Sequence, residues 1–141
     1  MPRENSTSLE ATRAAAIPRP GEVFDPVARA LDWVGDKWTL VVLRTIFAGR
    51  HRYGDLLQMP ERIATNILAD RLAHLQRHGL VTRHAYQTRP ERFEYRLTEK
   101  GADLLPMLQA LAEWGCRHIP DRWASPKWFT EATPETFYPA E

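Results

Sequence analysis

A chain of 141 residues, of which 43% are hydrophobic and 26% charged, is expected to form one globular domain with a buried core. Its single cysteine excludes a disulfide framework and a zinc site built from cysteines. No apolar run approaches the roughly 18 residues that span a bilayer, and the N-terminus lacks the apolar stretch of a signal peptide. We therefore expect a cytoplasmic protein that does not enter a membrane.

The net charge of +1 conceals an uneven distribution along the chain. Residues 44–100 carry eleven Lys and Arg against six Asp and Glu, a net charge of +5, together with four of the five histidines. The segments before and after carry −1 and −3. A basic segment of this size is typical of a surface that binds nucleic acid, because phosphate neutralisation supplies most of the non-specific affinity. The alternative is a solvated surface that happens to be basic.

The N-terminal third predicts an arm followed by two helices. Residues 1–22 mix Ser, Thr, Pro and charges with little periodicity, which predicts a flexible arm with one helix-prone piece, LEATRAAA. Asp25 and Pro26 are typical of a helix start, and this helix should end at Gly35. Asp36 then caps a second helix, KWTLVVLRTIF, which is apolar nearly all round and belongs at the centre of the core.

A short helix, a turn and a longer helix follow. HRYGDLLQM predicts the short helix and MPER the turn. The longer helix, about residues 64–78, is called the reading helix here, because one side is small and polar and nothing bulky keeps it from a surface. The other side is apolar and carries Ile63, Ile67, Leu68, Leu72 and Leu75. This order is that of a helix-turn-helix, and an ordinary amphipathic surface helix is the alternative.

A basic β-hairpin is predicted directly after the reading helix. LVTRHAYQTRPERFEYRLT reads as strand, turn and strand, and Arg89 and Arg92 flank a proline at the tip. We call the tip region, about residues 86–93, the wing. A wing of this kind rests on the DNA backbone or in the minor groove beside the reading helix, so these elements predict a winged helix-turn-helix.

The C-terminal third predicts a long helix and an aromatic tail. Thr98 should begin the helix, which continues to about residue 118 with a bend, not a break, at Pro106. Together with the first helix it offers a large apolar surface. A symmetric dimer would cover that surface and set two reading helices roughly 34 Å apart, and packing wholly within one domain is the alternative. The tail, residues 119–141, should wrap its five aromatic side chains over the domain or the other subunit.

Four stretches carry a family resemblance: DPVARALDWVGDKWTLVVLRTIFAG, RYGDLL, IATNILADRLAHLQRHGLV and YRLTEKGADLLPMLQALAEWG. In this order and spacing, over about residues 24–118, the chain resembles the HxlR-type winged helix-turn-helix regulators. The resemblance implies a mainly α fold with a small β-hairpin wing, over residues 23–118, with extra helices at both ends for dimerisation. It also implies a prokaryotic, cytoplasmic transcription regulator that binds a palindromic operator as a homodimer.

One departure from the family concerns sensing chemistry. Several members of the family respond to electrophiles, aldehydes or phenolic compounds, and the sequence of this chain does not identify a small-molecule inducer or establish that one exists. Thiol-sensing members carry a cysteine just before the proline of the first helix, where this chain has Asp25. The sole thiol, Cys116, is expected to be an inert buried residue. The alternative is an inter-subunit disulfide, if the two copies face each other across a two-fold axis.

Ten residues are candidate DNA contacts. Thr65 and Asn66 lie at the start of the reading helix, and an asparagine can contact adenine through two hydrogen bonds. Asp70 would accept a hydrogen bond from cytosine or orient a nearby arginine. Arg71 falls inside the apolar arc, so it either reaches out to the DNA backbone or is a paired structural arginine. The candidates for phosphate contacts are Lys37, Arg52, Tyr53, Arg62, Arg89 and Arg92.

Enzymatic function is not indicated by the sequence. It contains no Gly-rich phosphate loop and no Ser/His/Asp signature. His74 and His78 have a spacing that can bind metal, but no third ligand is evident, so we expect no metal site and no cofactor. The prediction is a DNA-binding homodimer, and the alternative is a winged-helix protein-interaction module without operator specificity.

Overall fold

The computed structural model describes residues 6–15, 19–21 and 25–140. The chain divides into two compact units, residues 1–35 and residues 36–141. In the described chain, no helix has both the length and the apolar character needed to cross a membrane.

The first unit contains two helices, α1 (Ser6–Ala15) and α2 (Pro26–Val34). The helix-prone piece of the predicted arm is part of α1, and the remainder of that arm lies largely outside the described residues. α2 begins as predicted, because an Asp25 carboxylate oxygen accepts the backbone N–H of Ala28 at 2.9 Å. Proline is tolerated at the first helical position, where its missing N–H would have no partner within the helix.

The second unit is built around α3 (Lys37–Phe47). Its Val42, Leu43 and Ile46 side chains are at most 1% exposed, as expected of the central helix of a core. The Asp36 carboxylate caps α3 by accepting the N–H of Thr39 at 2.9 Å. The helix is followed by Gly49 at φ +94°, a left-handed conformation that glycine adopts without a steric penalty.

The helix-turn-helix consists of α4 (Tyr53–Leu56) and α5 (Thr65–Arg77), and α5 packs against α3. The predicted reading helix is therefore α5. Its Leu68, Leu72 and Leu75 side chains are at most 1% exposed, so the predicted apolar side is confirmed as the buried one. Gly79, at φ +70°, follows the end of α5 in a left-handed conformation.

The predicted hairpin is confirmed as β1 (Val81–Thr88) paired antiparallel with β2 (Glu91–Leu97). The register pairs Val81 with Leu97 and is shifted by a bulge between Ala85 and Gln87. On the other edge of β2, the Tyr95 N–H donates to the His51 carbonyl oxygen at 2.8 Å. The segment just before α4 is thereby fastened to the hairpin.

The predicted last helix is two helices, α6 (Glu99–Ala102) and α7 (Leu105–His118). Thr98 caps α6 as predicted, since its hydroxyl accepts the Gly101 N–H at 3.0 Å. The prediction of a bend without a break at Pro106 was wrong. Pro106 has no N–H to donate to the Ala102 carbonyl oxygen. Between the two helices the chain makes a 3₁₀-type hydrogen bond, in which the Leu104 N–H donates to the carbonyl oxygen of Gly101, three residues back, at 3.1 Å.

The tail forms α8 (Lys127–Glu131) and a 3₁₀ turn (Pro134–Phe137) that pack on the second unit. The Phe137 ring meets the Phe47 ring edge to face at a centroid distance of 4.9 Å. The Gln109 amide donates to the carbonyl oxygens of Phe129 and Ala132, both at 2.8 Å. The tail therefore covers its own domain, one of the two predicted alternatives. Two of its aromatic side chains, Trp123 and Trp128, remain 79% and 46% exposed.

Candidate nucleic-acid interface

The reading helix α5 has one buried and one open side. Opposite its buried leucines, Thr65, Asn66 and Asp70 are exposed. Ala69, between them, is exposed as well and adds only a methyl group. These side chains lie in the first two turns, so the N-terminal half of α5 presents a low polar surface. Such a surface can approach base edges in a major groove without steric conflict.

Tyr53 ties the short helix to the start of the reading helix. Its hydroxyl donates to the backbone carbonyl of Thr65 at 2.9 Å. A phenol has one proton to donate. Tyr53 is half-buried, and it would have to break this bond before it could donate to a phosphate. Its observed role is therefore to hold α4 against α5.

Arg71 is a paired arginine, one of the two alternatives considered for it. Its guanidinium donates to the Asp36 carboxylate at 2.9 Å and to the Asp70 carboxylate at 2.5 Å. Since Asp36 also caps α3 through Thr39, Arg71 links the reading helix to the N-terminus of the central helix. Asp70 stays exposed on the open side with its carboxylate held by Arg71, so it does orient a nearby arginine as predicted.

These contacts shift the ionisation of both carboxylates. Desolvation acts to raise the pKa of Asp36, but the hydrogen bonds from Thr39 and the charge of Arg71 outweigh it and leave that pKa lowered. The hydrogen bond from Arg71 lowers the pKa of Asp70. Both groups are therefore ionised at neutral pH, and the Arg71 link persists there as a charge-assisted contact.

A second ion pair fixes the turn between α4 and α5. The Arg44 guanidinium makes two hydrogen bonds to the Glu61 carboxylate, at 2.7 and 2.8 Å, and they lower the pKa of Glu61. The charge of Lys37 lowers it further. The next residue, Arg62, is exposed and has φ +58°. The sequence analysis missed Arg44 and Glu61, although a charged residue within an apolar helix was a signal that Arg44 has a partner.

The wing is held by stacking of arginine on aromatic rings. The Arg52 guanidinium lies 4.0 Å from the centroid of the Tyr86 ring, and that of Arg83 lies 4.1 Å from the Phe93 ring. Arg52 therefore braces the hairpin from the segment before α4. Arg89 and Arg92 are exposed at the tip, and no ion pair among the described residues holds either side chain.

All ten candidate residues lie in the second unit, and the structure joins several of them. Tyr53 contacts the reading helix, Arg52 contacts the wing, and Arg71 contacts Asp70. The segment from residue 51 to residue 53 therefore connects the reading helix with the wing. The two arginines at the tip of the wing lie outside these contacts.

The histidine pair at the C-terminal end of α5 and the Cys116 thiol were the other groups considered for metal or redox chemistry. Among the described residues no group of three His, Cys, Asp or Glu side chains is placed to hold a metal ion. The rings of His74 and His78 meet edge to face at a centroid distance of 4.5 Å. Cys116 is half-buried, so the expectation of a buried thiol was wrong. A backbone hydrogen bond from Ser125 lowers the pKa of this thiol, because it stabilises the thiolate.

Comparison with known proteins gives the relatives of this chain. Residues 33–122 match the family described as HxlR-like helix-turn-helix. An uncharacterized HTH-type transcriptional regulator of Mycobacterium tuberculosis is 43% identical over 96 residues, which are 68% of this chain. The match spans only 60% of the length of that relative. A second such regulator, from Synechocystis, is 37% identical over 90 residues, 64% of this chain and 67% of its own length.

The solved structures include a regulator with the same fold. The redox regulator HypR in its reduced form is 30% identical to this chain with a TM-score of 0.63. The match covers 68% of this chain and 95% of that one.

Proposed function

Because this chain belongs to the HxlR-like helix-turn-helix family, we propose that it is a transcriptional regulator that binds a palindromic operator as a homodimer. The reading helix would occupy the major groove, and the wing would lie along the neighbouring backbone or minor groove. The protein would act in the cytoplasm by occupying DNA and not by catalysis.

The open N-terminal half of α5 carries this proposal. Asn66 is exposed there, and its amide can donate to and accept from adenine at the same time. Thr65 beside it can reach a base or a phosphate, and the small Ala69 leaves room for a thymine methyl group. Buried leucines hold the helix from behind, so the polar side needs no rearrangement to meet DNA.

Basic side chains around α5 supply the contacts that set affinity. Arg89 and Arg92 are exposed at the wing tip, and Arg62 is exposed at the turn before α5. Contacts of this kind position the protein without reading the sequence, and their strength falls with salt. We assign Lys37 to the same group, since it is exposed at the first position of α3.

A homodimer is supported by the outer side of α7. Leu105 and Leu108 are buried, whereas Met107, Leu111 and Trp114 are 37%, 53% and 58% exposed. Apolar residues that gather on one side of an otherwise packed helix mark a protein interface. A second copy of the chain would cover them symmetrically, and would match the symmetry of a palindromic operator.

The test is binding to DNA flanking the protein's own gene in the presence of excess competitor DNA. We expect wild-type protein to prefer one duplex over competitor by about 10³ or more. Asn66→Ala should lower the preference by roughly 10-fold to 100-fold, because it removes a base contact. Arg89→Ala should weaken binding to all duplexes alike and flatten the salt dependence.

Arg117→Ala is the matched control. It removes the same charge from an exposed site on α7, outside the reading helix and the wing, and should leave the preference unchanged. Equal binding to every duplex, unaffected by Asn66→Ala, would reject operator recognition. That outcome would favour a winged-helix module that binds an acidic protein partner.

A further inference from the structure

The turn before the reading helix contains an unusual backbone conformation. Arg62 has φ +58°, whereas turn positions of this kind usually carry glycine or asparagine. A side chain with a Cβ is disfavoured there because Cβ approaches the following carbonyl oxygen. Residues persist in such a conformation only when the surrounding structure imposes it, and they occur preferentially at functional sites.

The surroundings do impose this conformation. The Arg62 N–H donates to the Met59 carbonyl at 3.1 Å, which closes the turn. Met59 and Ile63, on either side, are 2% and 6% exposed and anchor both ends of the turn in the core. Between them, Glu61 is held by the two hydrogen bonds from Arg44 of α3. Two parallel hydrogen bonds between Arg44 and Glu61 fix the direction of the Glu61 side chain as well as its distance. Glu61 therefore has little freedom to move, and the backbone of Arg62 cannot readily leave the left-handed conformation.

The side chain that this turn exposes is a cation. Arg62 is exposed, and no carboxylate of the described residues pairs with it. It comes three residues before the first residue of α5, the end of the reading helix that carries Thr65 and Asn66. A glycine would adopt the same backbone conformation with less strain but would bring no charge.

We propose that Glu61 and Arg44 are positioning residues that hold Arg62 in its left-handed conformation, so that Arg62 contacts the phosphate backbone beside the reading helix. This inference rests on the proposed function. It assigns to the Arg44–Glu61 pair a role in DNA binding that is exercised only through Arg62. The pair and Arg62 should therefore be coupled in binding, and residues without this link should not be.

A double-mutant cycle on operator binding tests that coupling. The four proteins are wild type, Arg62→Asn, Glu61→Gln and the double variant, each titrated with the duplex flanking the gene and with a scrambled duplex. Asparagine tolerates the left-handed conformation, so Arg62→Asn removes mainly the charge. Glu61→Gln keeps the size of the side chain while it removes the charged pair.

We expect Arg62→Asn to weaken binding about tenfold in the wild-type background. Because the homodimer would lose two phosphate contacts, the steepness of the salt dependence should fall by roughly 1.8. In the Glu61→Gln background the same change should cost less than about threefold, because Arg62 is no longer held. Glu61→Gln by itself should raise DNA affinity in general, because it removes a negative charge. This gain is present with and without Arg62→Asn, so it cancels when the loss caused by Arg62→Asn is measured within each background. Circular dichroism and thermal unfolding would establish that every variant is folded.

Glu113→Gln provides the matched background. It removes one carboxylate from an exposed pair with Arg117 on α7, and Arg62→Asn should cost the full tenfold there. A further variant, Arg62→Gly, should weaken binding while raising the midpoint of thermal unfolding by about 3 °C, since it relieves the backbone.

The outcomes separate this inference from the proposed function. A wild-type protein that does not distinguish the two duplexes would overturn both. A wild-type protein that distinguishes them, with equal losses from Arg62→Asn in the wild-type and Glu61→Gln backgrounds, would overturn this inference alone. The same holds if Arg62→Asn has no effect on a discriminating wild type.

Discussion

The reading helix α5 and the C-terminal helix α7 are similar in length and in their buried sides but differ in their exposed sides. They have 13 and 14 residues, and each buries leucines along one side. Their outer sides differ in kind. α5 exposes Thr65, Asn66 and Asp70, whereas α7 exposes Leu111 and Trp114 among other apolar residues.

The difference lies in what each outer side can exchange with a partner. In the free protein, the polar groups on α5 are hydrogen-bonded to water. When base edges and phosphates replace that water, these groups exchange one set of hydrogen bonds for another at little cost in free energy. Apolar groups on α7 gain only by removal from water, which a second protein surface provides. Helical periodicity is similar in both, so it cannot distinguish a DNA surface from a protein surface. Our proposal of a DNA surface on α5 and a dimer surface on α7 rests instead on the chemistry of their outer sides.

The two helices are also fastened differently. Side-chain hydrogen bonds join α5 to other helices of the core: Arg71 donates to Asp36 at the start of α3, and the Tyr53 hydroxyl of α4 donates to the Thr65 carbonyl oxygen. α7 is held by the tail, whose backbone carbonyls receive the Gln109 amide. The predictions below test these contrasts, in order of decreasing effect.

Leu72→Ala should show the largest effect, because the Leu72 side chain is 1% exposed. We expect the free energy of unfolding to fall by about 3 kcal/mol, measured by urea denaturation. Leu111→Ala makes the same chemical change at a side chain that is 53% exposed. The loss of stability caused by Leu111→Ala should vary with protein concentration, since it would act through the dimer. The loss caused by Leu72→Ala should be the same at every protein concentration. Equal, concentration-independent losses would show that the outer side of α7 is not a dimer surface.

Trp114→Ala should come next. We expect the two copies of Trp114 in a symmetric interface to contribute about 2 kcal/mol to binding together, so the dimer dissociation constant should rise roughly thirtyfold. Analytical ultracentrifugation over a concentration series measures it. Arg117→Ala, on the same helix, removes an exposed charge that is paired with Glu113 of its own helix, and should raise the dissociation constant much less. A wild-type protein that stays monomeric at every concentration would contradict the contrast between the helices.

Asp36→Ala should have the smallest effect of the three. Loss of the cap costs about 1 kcal/mol of unfolding free energy at pH 7. The pKa of Asp36 is lower in the folded protein than its ordinary value of 3.8, so its ionisation stabilises the fold above that value. This stabilisation is lost as the pH falls through the lowered pKa.

The difference between wild type and Asp36→Ala should therefore shrink below about pH 4. Urea denaturation at a series of pH values from neutral to acid measures the difference. Asp25→Ala is the matched control, because it removes a helix cap of the same kind from α2. Operator affinity should fall in Asp36→Ala only, since only there is Arg71 released from α3. A difference that grows toward low pH would contradict the assignment.

Local sequence was sufficient for most element boundaries. Asp25, Asp36 and Thr98 cap helices as predicted, and Gly49 and Gly79 follow helix ends as left-handed residues. Caps and left-handed glycines are set by a few neighbouring backbone groups, so a short stretch of sequence contains the information. The hairpin and the buried side of α5 follow likewise from alternation and helical periodicity.

The tertiary structure decided which partners distant residues find. Arg71 meets Asp36 thirty-five positions away, and Arg44 meets Glu61 seventeen positions away. Periodicity placed Arg71 in the apolar arc but could not say whether it pairs or reaches DNA, because that depends on how two helices cross. The break before α7 and the packing of the tail depend in the same way on what surrounds them. Sequence alone determined the elements and their apolar sides, and three-dimensional packing decided which polar side chains are committed to the fold and which remain available to bind a partner.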